Sequence, residues 1–212
     1  GTASGGINYS SPYHFVISAT PVNDPPEFTA GPDQVIVEDA SPQEIIGWAT
    51  GIAAGPDDEA WQELTFLTWT SNDALFSATP LVDTTGTLRY TPAPDQNGSA
   101  TVAIQLIDNG GVEYGGVNES ATKEFTITVQ PVNDAPILTL GPNQAVLEDA
   151  SAQTVIGFAT GEAGPPDESG QSLIFDVTNT NLALFAALPS IDVSGTLTYT
   201  PAGDAFGSAV VT

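Results

Sequence analysis

Pro21-Val22-Asn23-Asp24-Pro25-Pro26 and Pro131-Val132-Asn133-Asp134-Ala135-Pro136 stand one repeat length apart, and everything else in the chain is placed by its distance from one of them. Each follows a run rich in β-branched and aromatic residues, Phe15-Val16-Ile17 in one case and Phe125-Thr126-Ile127-Thr128-Val129 in the other. Residues 21–51 set against residues 131–161 are identical at 19 of 31 positions without a gap. Self-similarity at a fixed period is the signature of one domain type strung in series. The two stretches therefore read as joints between repeats of roughly 110 residues.

The repeats divide the 212 residues into three pieces. Residues 1–8 align with 111–118, so 1–23 read as the last strand and linker of a preceding repeat, or of one completed by a neighbouring chain. Residues 24–133 form a complete repeat. Residues 134–212 form a second that stops before its last strand. Period-two alternation, punctuated by Gly, Pro, Asn and Asp, predicts strands and no helix of ten residues. The first strand falls in two parts around Gly31-Pro32, at 27–29 and 34–37. The others fall at 44–49, 64–70, 75–82, 87–91, 100–107 and 124–130. Seven short strands in roughly 110 residues predict an all-β chain of tandem seven-stranded immunoglobulin-like sandwiches in a linear array. Alternation in the sixth strand puts Ala100, Val102, Ile104 and Leu106 on the core face.

Composition narrows the function. The chain carries 26 acidic residues against two basic ones, Arg89 and Lys123, for a formal charge of −24. Carboxylates about 7 Å apart in water repel by about 0.6 kcal/mol per pair, so a compact chain of this kind lives in high salt or binds cations. Nucleic acid is excluded as a partner, because its phosphates would be repelled. Cysteine is absent, which removes disulfides and thiolate metal sites. No apolar run approaches the length of a bilayer span.

Several phrases recur together: Val-Asn-Asp-x-Pro, Glu-Asp-Ala-Ser, Gly-Thr-Leu-x-Tyr-Thr-Pro-Ala, Gly-Ser-Ala and the single Asp108-Asn109-Gly110-Gly111. In combination they resemble the bacterial cadherin-like, or tandem Ig-like, repeats of large secreted surface proteins and adhesins, over the whole chain. Val-Asn-Asp-x-Pro is also similar to the animal cadherin linker, whose Asn and Asp bind calcium between domains. The resemblance implies an extracellular, adhesive rod stiffened by Ca²⁺. It departs from the animal pattern where Pro25 and Ala135 replace that linker's second Asn, and where the Asp-x-Asp and Asp-Arg-Glu motifs are missing. Fewer or weaker sites are implied.

Sandwich topology says where acid gathers. A joint lies below the first-to-second and fifth-to-sixth strand loops of one repeat, and beside the second-to-third and sixth-to-seventh loops of the next. At the internal joint this collects Glu38, Asp39, Asp95, Asn133, Asp134, Asp167 and Glu168 as candidate Ca²⁺ ligands. At the upper joint it collects Asn23, Asp24, Asp58, Glu59, Asp108 and Asn109. Glu148 and Asp149 repeat the positions of Glu38 and Asp39. The same residues are also ordinary turn formers and solvated loop acids, and acid keeps sheet edges apart.

No catalytic arrangement emerges. One histidine, His14, and no cysteine leave no Ser-His-Asp or Cys-His set to draw, and the acids sit at loop positions common to both copies. Trp48 aligns with Phe158 and is expected in the core. Trp61 and Trp69 occur in one copy only and would stack on a sugar if exposed, making a carbohydrate-binding module an alternative. A fibre subunit completed by strand exchange between chains, end to end with copies of itself, is another. Asn8, Asn97 and Asn118 begin glycosylation sequons.

Overall fold

The computed structural model describes residues 3–7 and 9–212. Asn8, which begins the first sequon, lies outside them. Strands β1 (Glu27–Thr29) and β2 (Gln34–Val37) are the two parts of the first strand, and the break between them is steric. A Cβ on Gly31 would stand 2.4 Å from the Trp48 carbonyl oxygen and 2.6 Å from its indole ring. Only glycine lets the chain cross so close over Trp48. The indole Nε1 in turn donates to the Pro32 carbonyl at 3.0 Å. Because of this crossing, one strand serves two sheets.

β1 pairs antiparallel with β4 (Thr50–Ala53). β2 pairs parallel with β9 (Lys123–Gln130), which lies antiparallel to β8 (Gly98–Asp108). β8 lies antiparallel to β5 (Leu64–Thr70). The facing sheet has β3 (Gln43–Ile45), β7 (Leu88–Pro92) and β6 (Phe76–Val82) in the order β3-β7-β6. This is the two-layer topology of an immunoglobulin-like sandwich, with a first strand that changes sheet. The expected strand at 44–49 is corrected. β3 ends at Ile45, the chain turns at Gly47, φ +68°, and β4 begins only at Thr50, so residues 46–49 are the connection between two strands.

The core lies between the sheets. Ala100, Val102, Ile104 and Leu106 are all buried, as alternation predicted, against Phe125, Ile127 and Val129 of β9. Trp48 is buried with its ring 4.4 Å from that of Phe125, and Phe28 meets Phe66 edge to face at 5.1 Å.

In the second repeat, β10 (Ile137–Leu140) pairs with β12 (Ala159–Glu162). β11 (Gln153–Val155), β14 (Leu197–Pro201) and β13 (Phe185–Ile191) form one three-stranded sheet in that order. These are the counterparts of β1, β4, β3, β7 and β6. Residues 144–147 and 173–179, counterparts of β2 and β5, are not strands, apart from one isolated bridge between Asn179 and Val211. Residues 178–180 bond instead to 210–212, through Thr178 N to the Thr212 carbonyl at 2.8 Å and Thr180 N to the Val210 carbonyl at 3.0 Å. Among the described residues, helical structure is confined to single 3-10 turns, and no helix is long and apolar enough to cross a membrane.

Truncating Ile104 to alanine is expected to lower the unfolding free energy of the first sandwich by about 2–5 kcal/mol in urea melts. Ile46→Ala, at a side chain 82% exposed, should stay within about 0.5 kcal/mol of the parent.

Candidate metal centre at the internal joint

The joint is built from strand ends. β2 runs into Glu38 and Asp39, the β7–β8 loop carries Asp95, and β9 runs out into residues 131–136. Asp39 and Asp95 sit in the left-handed region at φ +58° and +53°, a conformation that aspartate tolerates better than most residues. The Asp39 carboxylate accepts the Asp95 backbone N–H at 3.1 Å, which ties the two loops together. The second repeat contributes a 3-10 turn, Pro166–Glu168, from the loop after β12.

One carboxylate oxygen each from Asp39, Asp95 and Asp134 lies within 4.8 Å of the others. Glu38 is 1% exposed and Glu168 5%, and both are placed by the linker backbone. Glu38 Oε1 accepts from Val132 N at 2.6 Å, and Glu168 Oε1 accepts from Asp134 N at 2.7 Å. The remaining oxygen of Glu168 and one of Asp134 are buried with no hydrogen-bond partner. A buried carboxylate oxygen left unpaired is costly. Burial, and then the neighbouring charges of Asp39, Asp167, Glu38 and Glu168, raise the Asp95 carboxyl above its ordinary value. Burial, and then Glu168, Asp39, Asp95 and Glu38, raise Asp134 likewise.

No basic side chain relieves this crowd. Arg89 pairs with Glu44 at 2.7 Å and with Asp83. Lys123 lies over the Phe28 ring, 4.9 Å from its centroid, and donates to the Phe28 carbonyl. It sits at the start of β9, seven residues and roughly 23 Å from the strand's joint end. The donor set fits a hard cation. Calcium binds oxygens at 2.3–2.6 Å, so oxygens on opposite sides of one ion stand about 4.8 Å apart.

Most of the expected residues converge and some do not. Asp167 is drawn in through Asn97, whose amide donates to Asp167 Oδ2 at 3.0 Å and to Glu38 Oε2 at 3.3 Å. Asn133 turns aside, donating to the Asp134 carbonyl and accepting from Gln171. At the upper end of the first sandwich, Asn23 donates to Asp108 at 3.1 Å, and Asp24 N donates to Glu59 Oε1 at 3.0 Å. There one oxygen each of Glu59, Asp108 and Gln62 is buried without a partner. Asn109 caps the Glu63 N–H, while the exposed Asp58 offers its backbone carbonyl to the Trp61 indole. Glu148 and Asp149 are exposed, and Asp149 accepts from Asp204 N at 2.9 Å.

Sequence reasoning missed Asn97 as a joint residue. Its counterpart is Phe206, so a search for repeated positions passes over it. It also missed Asp204, counterpart of Asp95, although the alignment contained that signal. Trp61 is 74% exposed and Trp69 49%. Trp69 lies five residues down β5 from Leu64, roughly 17 Å from the loop that carries Trp61, so the two rings do not form one platform. His14 is exposed.

No protein-family model matches the chain. No curated protein matches it either. Among solved structures it is similar to the first four extracellular domains of Drosophila N-cadherin, at 15% identity and TM-score 0.35, over 87% of this chain and 43% of that one. It is similar too to the first two extracellular domains of human protocadherin-24, at 19% identity and TM-score 0.34, over 85% of this chain and 79% of that one. The chain thus spans less than half of the fly structure. At these scores the likeness is too slight to carry a conclusion, and the fold rests on the topology above.

The raised carboxyls make a signed expectation. Without a cation, the folded joint binds more protons than the unfolded chain between the ordinary aspartate value and the raised one, so its stability falls as pH rises through that window. Carboxyl-carbon NMR in chelator should show Asp95 and Asp134 titrating above the ordinary aspartate value of about 3.9, and both midpoints should drop when calcium is added or in Asp39→Asn. Midpoints at the ordinary value in chelator would contradict the crowding.

Proposed function

We propose that this chain is a structural and adhesive segment of an extracellular bacterial surface protein, a rod of sandwiches whose joints are stiffened by Ca²⁺. One observation carries the reading. Carboxylates of the first sandwich, Asp39 and Asp95, meet the linker's Asp134 within 4.8 Å, beside a buried Glu168 oxygen that has no hydrogen-bond partner among the described residues.

The mechanism is electrostatic. Free carboxylates repel across the joint and leave the angle between sandwiches loose, whereas a bound cation draws oxygens from both sides onto one centre. The affinity suited to an extracellular module is about 10⁻⁴ to 10⁻³ M, which makes the rod responsive to millimolar calcium. Stiffening acts on the linker and leaves each sandwich's own core unchanged.

Small-angle scattering of the chain in calcium should give a narrower distribution of maximum dimensions than in EDTA, with circular dichroism unaltered. Asp134→Asn should weaken calcium binding at the joint by about tenfold or more, some 1.4 kcal/mol, in isothermal titration. Identical scattering profiles in calcium and EDTA would end the stiffened-rod reading.

A further inference from the structure

The sequence holds two Asn-Gly steps, Asn97-Gly98 and Asn109-Gly110, one at each end of β8. In such a step the backbone nitrogen of the glycine can attack the side-chain carbonyl carbon of the asparagine, because glycine has no Cβ to obstruct closure of the five-membered ring. The two steps are chemically alike in an unfolded chain. In the folded one their surroundings differ.

At the end of β8 away from the internal joint, the Gly110 N–H donates to Asp108 Oδ1 at 2.9 Å, so a carboxylate already holds the proton that the attacking nitrogen must lose. Asp108 is 4% exposed, and its Oδ2 is buried with no hydrogen-bond partner among the described residues. A proton arriving there relieves a buried, poorly satisfied charge. The Asn109 side-chain oxygen accepts the Glu63 backbone N–H at 3.0 Å. That donor points at the atom where negative charge develops as the carbonyl is attacked. Glycine is required at 110, since a Cβ there would run into the Asn23 side-chain amide. Asn109 and Gly110 are both exposed, so water can enter and ammonia can leave. At the other end of β8 the arrangement is protective. Gly98 is paired with Val129 in the β8–β9 ladder, and the Asn97 amide nitrogen is held by Glu38 and Asp167.

We propose that Asn109-Gly110 is a self-modification site, at which the folded sandwich promotes deamidation of Asn109 with Asp108 as the base and the Glu63 N–H as the oxyanion donor. Gly110 N attacks Asn109 Cγ and passes its proton to the Asp108 carboxylate. The N–Cγ bond forms, the Cγ–Nδ2 bond breaks, and Nδ2 leaves as ammonia with that proton, which regenerates the carboxylate and leaves a succinimide. Water then opens the ring at one of its two carbonyls. Breaking N–Cγ again gives aspartate, and breaking the bond to the main-chain carbonyl gives isoaspartate. Either product adds a carboxylate beside Asp108 and Glu63. Isoaspartate also lengthens the backbone by one methylene between β8 and the loop that follows, which displaces the side chain now capping the start of β5. The site stands independently of the cation reading.

The test incubates the full chain in neutral buffer, folded and in concentrated urea. Peptide mass mapping follows each Asn-Gly step, and an isoaspartate-specific methyltransferase counts the isoaspartate. In the folded chain Asn109 should convert about tenfold or more faster than Asn97, within the range that a positioned general base supplies. In urea the two rates should draw together, because the surroundings that separate them are gone. Asp108→Asn, which cannot take the proton, should slow Asn109 by about tenfold while Asn97 stays slow. If Asn97 accelerates in that variant the fold has been lost, and the comparison of folded and urea-treated parent then decides alone. Asn109 converting no faster than Asn97 in the folded parent, or at an undiminished rate in a folded Asp108→Asn, overturns the proposal.

Discussion

Carboxylates without a counter-charge set the terms at the joint. Glu38, Asp39, Asp95, Asp134, Asp167 and Glu168 gather around one linker, and burial, followed by neighbouring carboxylate charges, holds Asp95 and Asp134 above their ordinary values. An isolated surface acid of this kind would be solvated and inert. Here the linker backbone fixes Glu38 and Glu168 by donating Val132 N and Asp134 N to one oxygen of each. Neither acid can swing away to relieve the repulsion, and the oxygens left over face inward. Asn97 supplies the one neutral donor between Glu38 and Asp167, lending partial positive charge where no cation side chain reaches.

Where the two basic residues went is part of the same design. Arg89 is held by Glu44 and Asp83 across the β3–β7–β6 sheet, and its guanidinium keeps the Asp83 carboxyl below the usual range together with the Thr85 hydroxyl, which acts most strongly. Lys123 is spent on the Phe28 ring and carbonyl, at the end of β9 away from the joint. Both are engaged within the first sandwich, Arg89 on the surface of its sheet and Lys123 against Phe28. The ends of the sandwiches are left with acid alone, and opposite ends of the chain repeat the two halves of the internal joint. Each repeat therefore has two different acidic ends.

Much of this was legible in the sequence because a sandwich is a periodic object. Alternation located β5 to the residue and the buried face of β8, and Gly31-Pro32 marked the change of sheet between β1 and β2. The segment at 44–49 was misread as one strand because its apolar residues continue through Gly47 and Trp48, and only the left-handed turn at Gly47 shows that the ladder passes from β7 to β1. The joint acids were legible as a loop assignment. Asn133 was not placed correctly, since its amide is claimed locally by Asp134 and Gln171. Asn97 was invisible for the opposite reason, its role depending on Asp167 from the next repeat, 70 residues away.

The sequence by itself determined that one sandwich type recurs, that its core is carried by the alternating faces of the strands, and that acid accumulates in the loops flanking each Val-Asn-Asp stretch. These follow from side-chain periodicity and turn chemistry, which act over a few residues. Only the tertiary structure decided which oxygens converge, which are claimed by linker N–H groups, and which stay buried and unsatisfied. It also decided that β9 fills the centre of its own sandwich, with Phe125, Ile127 and Val129 buried. Those outcomes depend on distances between segments far apart in sequence, and coulombic and packing energies are set by distance in space.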